Sequence, residues 1–227
     1  PFYAQIEERM RFFPQYYRFL ISICLDLEDL GMAGNKGEGL CTWAAETSLA
    51  EAELSDLQRA EAQRLLARRG AGKKRGDALD ARLHRFIERS DTFAMPNKKA
   101  AYELTHIVFY LAEYGARDPK ISTQALTSLE YAGLLAYLDQ NIDLLAEVCT
   151  ALRFAGQVPS SIWERAVRAA HRNCVITSDA EGALHDGYHE YLVTGWASQV
   201  AGDVAFAGNI PEGALRFRHP SRSSGAL

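Results

Sequence analysis

The chain of 227 residues carries 25 Lys and Arg against 29 Asp and Glu, a formal net charge of −4, with 48% hydrophobic and 24% charged residues. Such values are average for a globular chain and exclude a disordered polymer, a collagen repeat and a disulfide scaffold. A net-acidic chain also lacks the basic balance of a dedicated nucleic-acid binder, so no nucleic acid is expected as a partner.

Apolar spacing is helical almost throughout, and no alternating strand run stands out. In chain order it predicts helices near 3–12, 15–30, 38–50, 56–69, 77–89, 98–114, 123–138, 141–155, 161–173 and 186–204. Pro14 suits a first helical turn, where its missing N–H does no harm. Ser55 with Gln58, and Ser161 with Glu164, have capping-box spacing, which satisfies free backbone N–H groups. Asn97 can cap the helix that starts at Lys98. Gly31, Gly70, Gly115, Gly156 and Gly202 each follow an apolar helix and suit a left-handed C-terminal stop. They are separated by 39, 45, 41 and 46 residues, the length of a helix pair with its loops. The expected fold is therefore all-α, an array or toroid of αα-hairpins with about ten helices and no sheet. Residues 1–212 read as a single helical domain and 213–227, rich in Ser, Gly and Arg, as a flexible tail.

Residues 59–89 hold ten Lys or Arg against four Asp or Glu. That segment reads either as an exposed helix pair with its loop or as a docking surface for an acidic partner. Within it, 70–76 combines three glycines with Lys73, Lys74 and Arg75. It lacks the P-loop arrangement and is expected to be the most mobile internal loop. Cys24, Cys41, Cys149 and Cys174 form no CxxC pair, which fits a reducing, cytoplasmic compartment. No apolar run reaches the ~20 residues of a membrane span, and no signal peptide is visible, so no membrane partner is expected.

Three helices are apolar nearly all round, as helices in the middle of a domain are. Each carries one polar stripe at i, i+3, i+4, i+7 spacing. On 15–30 it is Arg18, Ser22, Asp26 and Asp29; on 98–114, Glu103, His106, Tyr110 and Glu113; on 141–155, Asp143, Glu147 and Thr150. Either these are solvent faces or they share a polar cavity, in which case buried carboxylates need His, Arg, water or metal as partners. In the last helix His189 shares a face with Val193, Trp196 and Val200. His185 and His189 have HxxxH spacing, but Asp186 stands where a zinc protease carries its glutamate. Glu103-Leu-Thr-His106 and Asp186-Gly-Tyr-His189, with Asp26 and Glu147 on other helices, follow the carboxylate and Glu-x-x-His order of ferritin-like di-iron proteins. Bridging carboxylates would hold two metals and each imidazole would complete one shell. His84, His171 and His219 read as solvated. No nucleophile-elbow, kinase, Rossmann or zinc-finger pattern occurs.

The phrases RFFPQYYRFLISICLDLEDLG (11–31), NKKAAYELTHIVFYLAEYG (97–115), AGLLAYLDQNIDLLAEVC (132–149) and YHEYLV (188–193) resemble an uncharacterised family of alphaproteobacterial proteins, a domain of unknown function. The resemblance covers roughly residues 5–200 and brings no site residues with it. The ELTH…FYLAEYG stretch is also similar to segments of helical-toroid proteins from bacterial biosynthetic clusters, which implies an inward-facing Glu103 and His106.

Two functional readings follow, beside that of a purely structural subunit. The first is a small-molecule or metal-binding enzyme, its polar cavity on the helical axis. Glu103, His106 and Tyr110 are its candidate catalytic groups, and Glu103, His106, Glu147 and His189 its candidate ligands for a divalent metal, iron or zinc, with Tyr110 and Asp143 behind them. The second is a non-enzymatic scaffold that takes a protein or peptide partner in a concave groove. The sequence leaves open whether the protein is an enzyme, and what its oligomeric state is.

Overall fold

The computed structural model describes residues 2–73, 75–178, 187–208, 210–213 and 215–218. Of these, 67% are helical, in twelve α-helices and two short 3-10 turns. The helices are α1 (Ile6–Phe12), α2 (Tyr17–Asp29), α3 (Lys36–Glu46), α4 (Leu49–Ala52), α5 (Asp56–Ala67), α6 (Asp77–Ile87), α7 (Ser90–Phe93), α8 (Lys98–Leu111), α9 (Thr123–Leu138), α10 (Ile142–Phe154), α11 (Ser161–Asn173) and α12 (Tyr188–Val200). The all-α expectation holds, with one correction. Val175–Thr177 (β1) and Arg216–Arg218 (β2) form a two-stranded antiparallel sheet, register Ile176 opposite Phe217. Three β-branched residues in a row (Val175, Ile176, Thr177) favour an extended backbone, and the run is too short for its periodicity to stand out. β2 lies in the segment read as a tail, and residues 219–227 fall outside the described residues.

Local signals set most helix ends. Gly31, Gly70, Gly115, Gly156 and Gly202 all have positive φ. Ser55 and Asn97 accept hydrogen bonds from the N–H groups of Gln58 and Ala100. Ser160, not Ser161, caps α11, because Glu164 is drawn away to Arg153 and Arg168. The helix expected at 38–50 breaks in two at Ser48, which sits at φ 56 after Thr47 has bonded back to the Trp43 carbonyl. The short helix α7 escaped the reading; it seats the buried Phe93 edge-on against Phe86.

The chain divides into two compact units, residues 1–85 and 86–227. In the first, α2 turns Leu20, Ile21, Cys24 and Leu25 onto Ile6, Met10, Leu40, Cys41 and Leu66. The polar stripe of α2 is satisfied within the same unit. Arg18 pairs with Glu53 and Glu61, while Asp26 and Asp29 pair with Arg68. The Glu28 side chain, 7% exposed, lies beside them. Burial alone would raise its carboxyl, but the Gly37 N–H, the Tyr3 hydroxyl and Arg69 hold it below the usual range.

The second unit is built from alternating helices. α9 packs against α8 and α10, and α11 against α10 and α12. Gly133 of α9 lets the Trp163 ring come so close that a Cβ there would lie 2.5 Å from it. This is the staggered packing of an αα-hairpin array, with α10 at its centre and Leu144–Leu152 of α10 wholly buried.

Candidate functional site

Helices α8, α10 and α12 meet along a seam of three layers, the second of which is built from α8 and α10 alone. In the first layer Asp143 accepts from the Tyr102 hydroxyl at 2.7 Å and from Nδ1 of His189 at 2.6 Å. In the second Glu147 accepts from the Thr105 hydroxyl at 2.5 Å and faces Nε2 of His106 at 3.5 Å. In the third the rings of Phe109, Phe154 and Trp196 stack edge to face, with centroids 4.9–6.0 Å apart. The order 102, 105–106, 109 on α8 matches 143, 147, 154 on α10 and 189, 196 on α12, so the three helices run parallel. Parallel helices in sequence require an intervening helix running back, and α9 and α11 supply it.

The electrostatics follow from burial. The Glu147 side chain is 4% exposed, while that of His106 above it is 41% exposed. The Asp143 side chain is 17% exposed and that of His189 58%. The hydrogen bond to Asp143 raises the His189 imidazole above its ordinary value, against a smaller opposing effect of burial. Burial, reinforced by the same carboxylate, pushes the Tyr102 hydroxyl up as well. Tyr110 is buried with its ring centroid 6.3 Å from that of His106.

The expected site residues fall out as follows. His106 and Glu147 come together, but His189 meets Asp143 instead of Glu147. Glu103 is half-buried on α8 and makes no hydrogen bond or ion pair among the described residues. His106 and Glu103, expected to face inward, both keep solvent contact. Each imidazole is held by a different carboxylate. Among the described residues no three His, Cys, Asp or Glu side chains are placed to hold a metal ion. Of the di-iron pattern, Asp26 is held by Arg68 in the first unit, and Asp186, like His185, lies outside the described residues. His171, expected to be solvated, is half-buried. It stacks on Tyr191 at 4.7 Å, with Nδ1 3.2 Å from that residue's carbonyl oxygen. His219 lies outside the described residues. Tyr102 and Thr105 were missed, although they share the stripe of His106 and Phe109 at i+3, i+4 and i+7.

Two other surfaces bear on function. A cleft of about 400 Å³ lies between α9 and the α10–α11 loop, lined by Tyr131, Leu134, Val158, Pro159 and Trp163 with Glu130 at its side. It shares no residue with the seam. In the basic segment at least six of ten cations pair with carboxylates of the same chain: Arg59 and Arg82 with Asp56, Arg68 and Arg69 with Asp29, Lys73 with Glu51, and Arg75 with Asp80.

The fold and seam define an all-α protein built on αα-hairpins with two imidazole–carboxylate pairs. The chain belongs to the family described as Domain of unknown function (DUF6902), whose model matches residues 1–227. Neither a curated protein nor a solved structure matches it. No helix among the described residues is long and apolar enough to cross a membrane.

Proposed function

We propose that the protein is an enzyme that binds a small polar molecule over the seam and moves a proton on it through His106, in the reducing, cytoplasmic setting that suits its free thiols. One observation carries this reading: an accessible imidazole held over a buried carboxylate. An imidazole exchanges protons near neutral pH, and a carboxylate behind it orients the ring and stabilises its charged form. Glu147 has that place, steadied by Thr105, and burial strengthens its field at His106. Glu103, one turn earlier on α8, is free to meet the ligand. Tyr110 packs beneath the imidazole as a positioning residue.

Iron or zinc on Glu103, His106, Glu147 and His189 is the less favoured form of this proposal, since the two imidazoles serve separate carboxylates. The scaffold alternative draws on the apolar cleft beside α9. Its docking of an acidic partner through 59–89 is weakened by the internal pairing of that segment's cations. The test is a ligand-observed NMR screen with a mixed library of cationic, neutral and anionic fragments. Fragments that shift the His106 imidazole and are lost in His106→Ala support the proposal. A library whose only binders ignore this substitution overturns it. Metal analysis of untagged protein separates the metal form, for which about one iron or zinc per chain is required.

A further inference from the structure

We infer that the corner between α1 and α2 docks on an anionic lipid surface. No helix among the described residues is long and apolar enough to cross a membrane, but attachment to a membrane surface needs only an apolar face with cations beside it. The corner supplies both within the first unit. Residues 11–16 are exposed one after another, so the chain projects here. Phe12 is 75% exposed and Phe19 62%, with Phe13 and Tyr16 exposed between them. The rings of Phe12 and Phe13 lie 4.5 Å apart and those of Phe13 and Tyr16 6.2 Å, while Phe19 stands one turn on from Tyr16. On the opposite side Tyr17 and Leu20 turn into the core. Tyr17 and Arg18 both bond Glu53 at 2.8 Å, which brings the almost wholly exposed Leu54 to the same corner. Single exposed apolar side chains are common on proteins. Four aromatic rings within eight residues are a patch, and such patches mark surfaces that are covered in use. The corner is also rigid. The Phe13 N–H donates to the Arg9 carbonyl at 2.8 Å and the Tyr16 N–H to the Phe13 carbonyl at 3.0 Å, and Pro14 opens the 3-10 turn Pro14–Tyr16. Little ordering entropy is lost when rings so held are buried.

Charge decides between occupants. From Arg9 to Leu25 there is no Asp or Glu, in a chain that carries 29 of them. Arg9 and Arg11 flank the rings, both exposed, and neither meets a carboxylate among the described residues; Arg9 lies over the Phe2 ring at 5.5 Å. Arg18 is taken up by Glu53 and Glu61. Of the acids on α1, Glu7 pairs with Lys36 at 2.7 Å and Glu8 is open to solvent, so the corner keeps a positive balance. Guanidiniums beside an apolar face suit lipid phosphates, and Tyr sits at the boundary with its ring among chains and its hydroxyl among headgroups. A second copy is the poorer occupant. A two-fold interface sets one patch against itself and would bring Arg9 and Arg11 of both copies together.

The experiment is co-sedimentation of the full chain with vesicles of phosphatidylcholine alone and of phosphatidylcholine mixed with phosphatidylglycerol, with light scattering of the free protein for its mass. Binding to the mixed vesicles is expected to be about tenfold or more tighter than to phosphatidylcholine, the effect of two cations at an anionic surface, and to weaken in high salt. Phe12→Ser combined with Phe19→Ser should weaken it about tenfold or more, and Arg9→Gln combined with Arg11→Gln should lower it to the level seen on phosphatidylcholine. These side chains project into water, so the variants should keep the circular dichroism of the wild type; if the double Phe variant unfolds, Phe12→Ser alone reads the same corner. Absence of binding to the mixed vesicles overturns the inference. So does binding that the Phe variants leave unchanged, or equal binding to both vesicles. A dimer that the Phe variants dissolve also overturns it, by assigning the corner to a second copy. None of these outcomes bears on the seam, which the fragment screen decides separately.

Discussion

Replacing Thr105 by valine keeps the volume of the side chain and removes one hydroxyl. In the native fold that hydroxyl lies 2.5 Å from Oε2 of Glu147 and 2.9 Å from the Tyr102 carbonyl, and Thr105 itself is fully buried. The Tyr102 carbonyl keeps its helical partner, so the loss falls on the carboxylate. Nothing else among the described residues donates to Oε2, and a 4% exposed side chain leaves little room for water to do so. A buried acceptor stripped of its donor costs about 1–3 kcal/mol, with a charged one at the upper end. For chains of 150–250 residues each kcal/mol lowers the melting temperature by about 2–4 °C. Urea titration followed by circular dichroism should show a lower midpoint with an unchanged slope, as befits lost stability without a change in compactness. Thr105→Ser, which retains the hydroxyl and loses a methyl, should cost about 1 kcal/mol or less. If Thr105→Val proved as stable as Thr105→Ser, Glu147 would not depend on this hydroxyl and the seam's second layer would be wrongly drawn.

Stability should also depend on His189. Its folded pKa lies above the ordinary value of about 6.5, so the pair with Asp143 contributes fully below that pH and is lost as pH rises through the raised pKa. Urea midpoints of wild type and His189→Gln should therefore differ most in mild acid and converge in alkali; a gap that widens with pH contradicts the pairing. The imidazole is more than half exposed, so solvent screening keeps the effect small. Gly133→Ala should destabilise by about 1–3 kcal/mol through overpacking, because its Cβ would meet Trp163 at 2.5 and 2.7 Å and Val148 at 3.1 Å; a thermal melt unchanged from wild type would refute the close approach of α9 and α11. Limited trypsin digestion should cut after Lys73, whose side chain is 80% exposed, before Arg75, which is 9% exposed and paired with Asp80 at 2.6 Å; mass spectrometry of the first fragments decides, and initial cleavage within 98–155 would contradict the buried core.

Helix positions were legible because they depend on neighbours in the chain. Ser55 and Asn97 bond to N–H groups three residues on, and Gly115 or Gly156 ends a helix through its own φ. The same locality explains the failures. Ser48 breaks α3 from α4 although the apolar spacing continues, and Val175–Thr177 becomes a strand only because Arg216–Arg218 arrives about forty residues later to pair with it. The stripe of α8 was readable as Glu103, His106 and Tyr110, yet nothing in it distinguished a solvent face from a shared site. The stripe of α2 has the same spacing and turns out to be held by Arg68, Arg69 and the glutamates around Arg18.

By itself, then, the amino-acid sequence determined that the chain is helical, where most helices start and stop, and that polar side chains line up along α2, α8 and α10. Those are properties of periodicity and capping, which act within one or two turns. Only the tertiary structure decided that α8, α10 and α12 run parallel, that His189 takes Asp143 while His106 lies over Glu147, and that Glu103 stays apart. Pairings over forty residues depend on how three helices rotate against one another. That rotation is chosen by the summed burial of Leu104, Val108, Leu145, Val148 and Val193, and no single residue carries it.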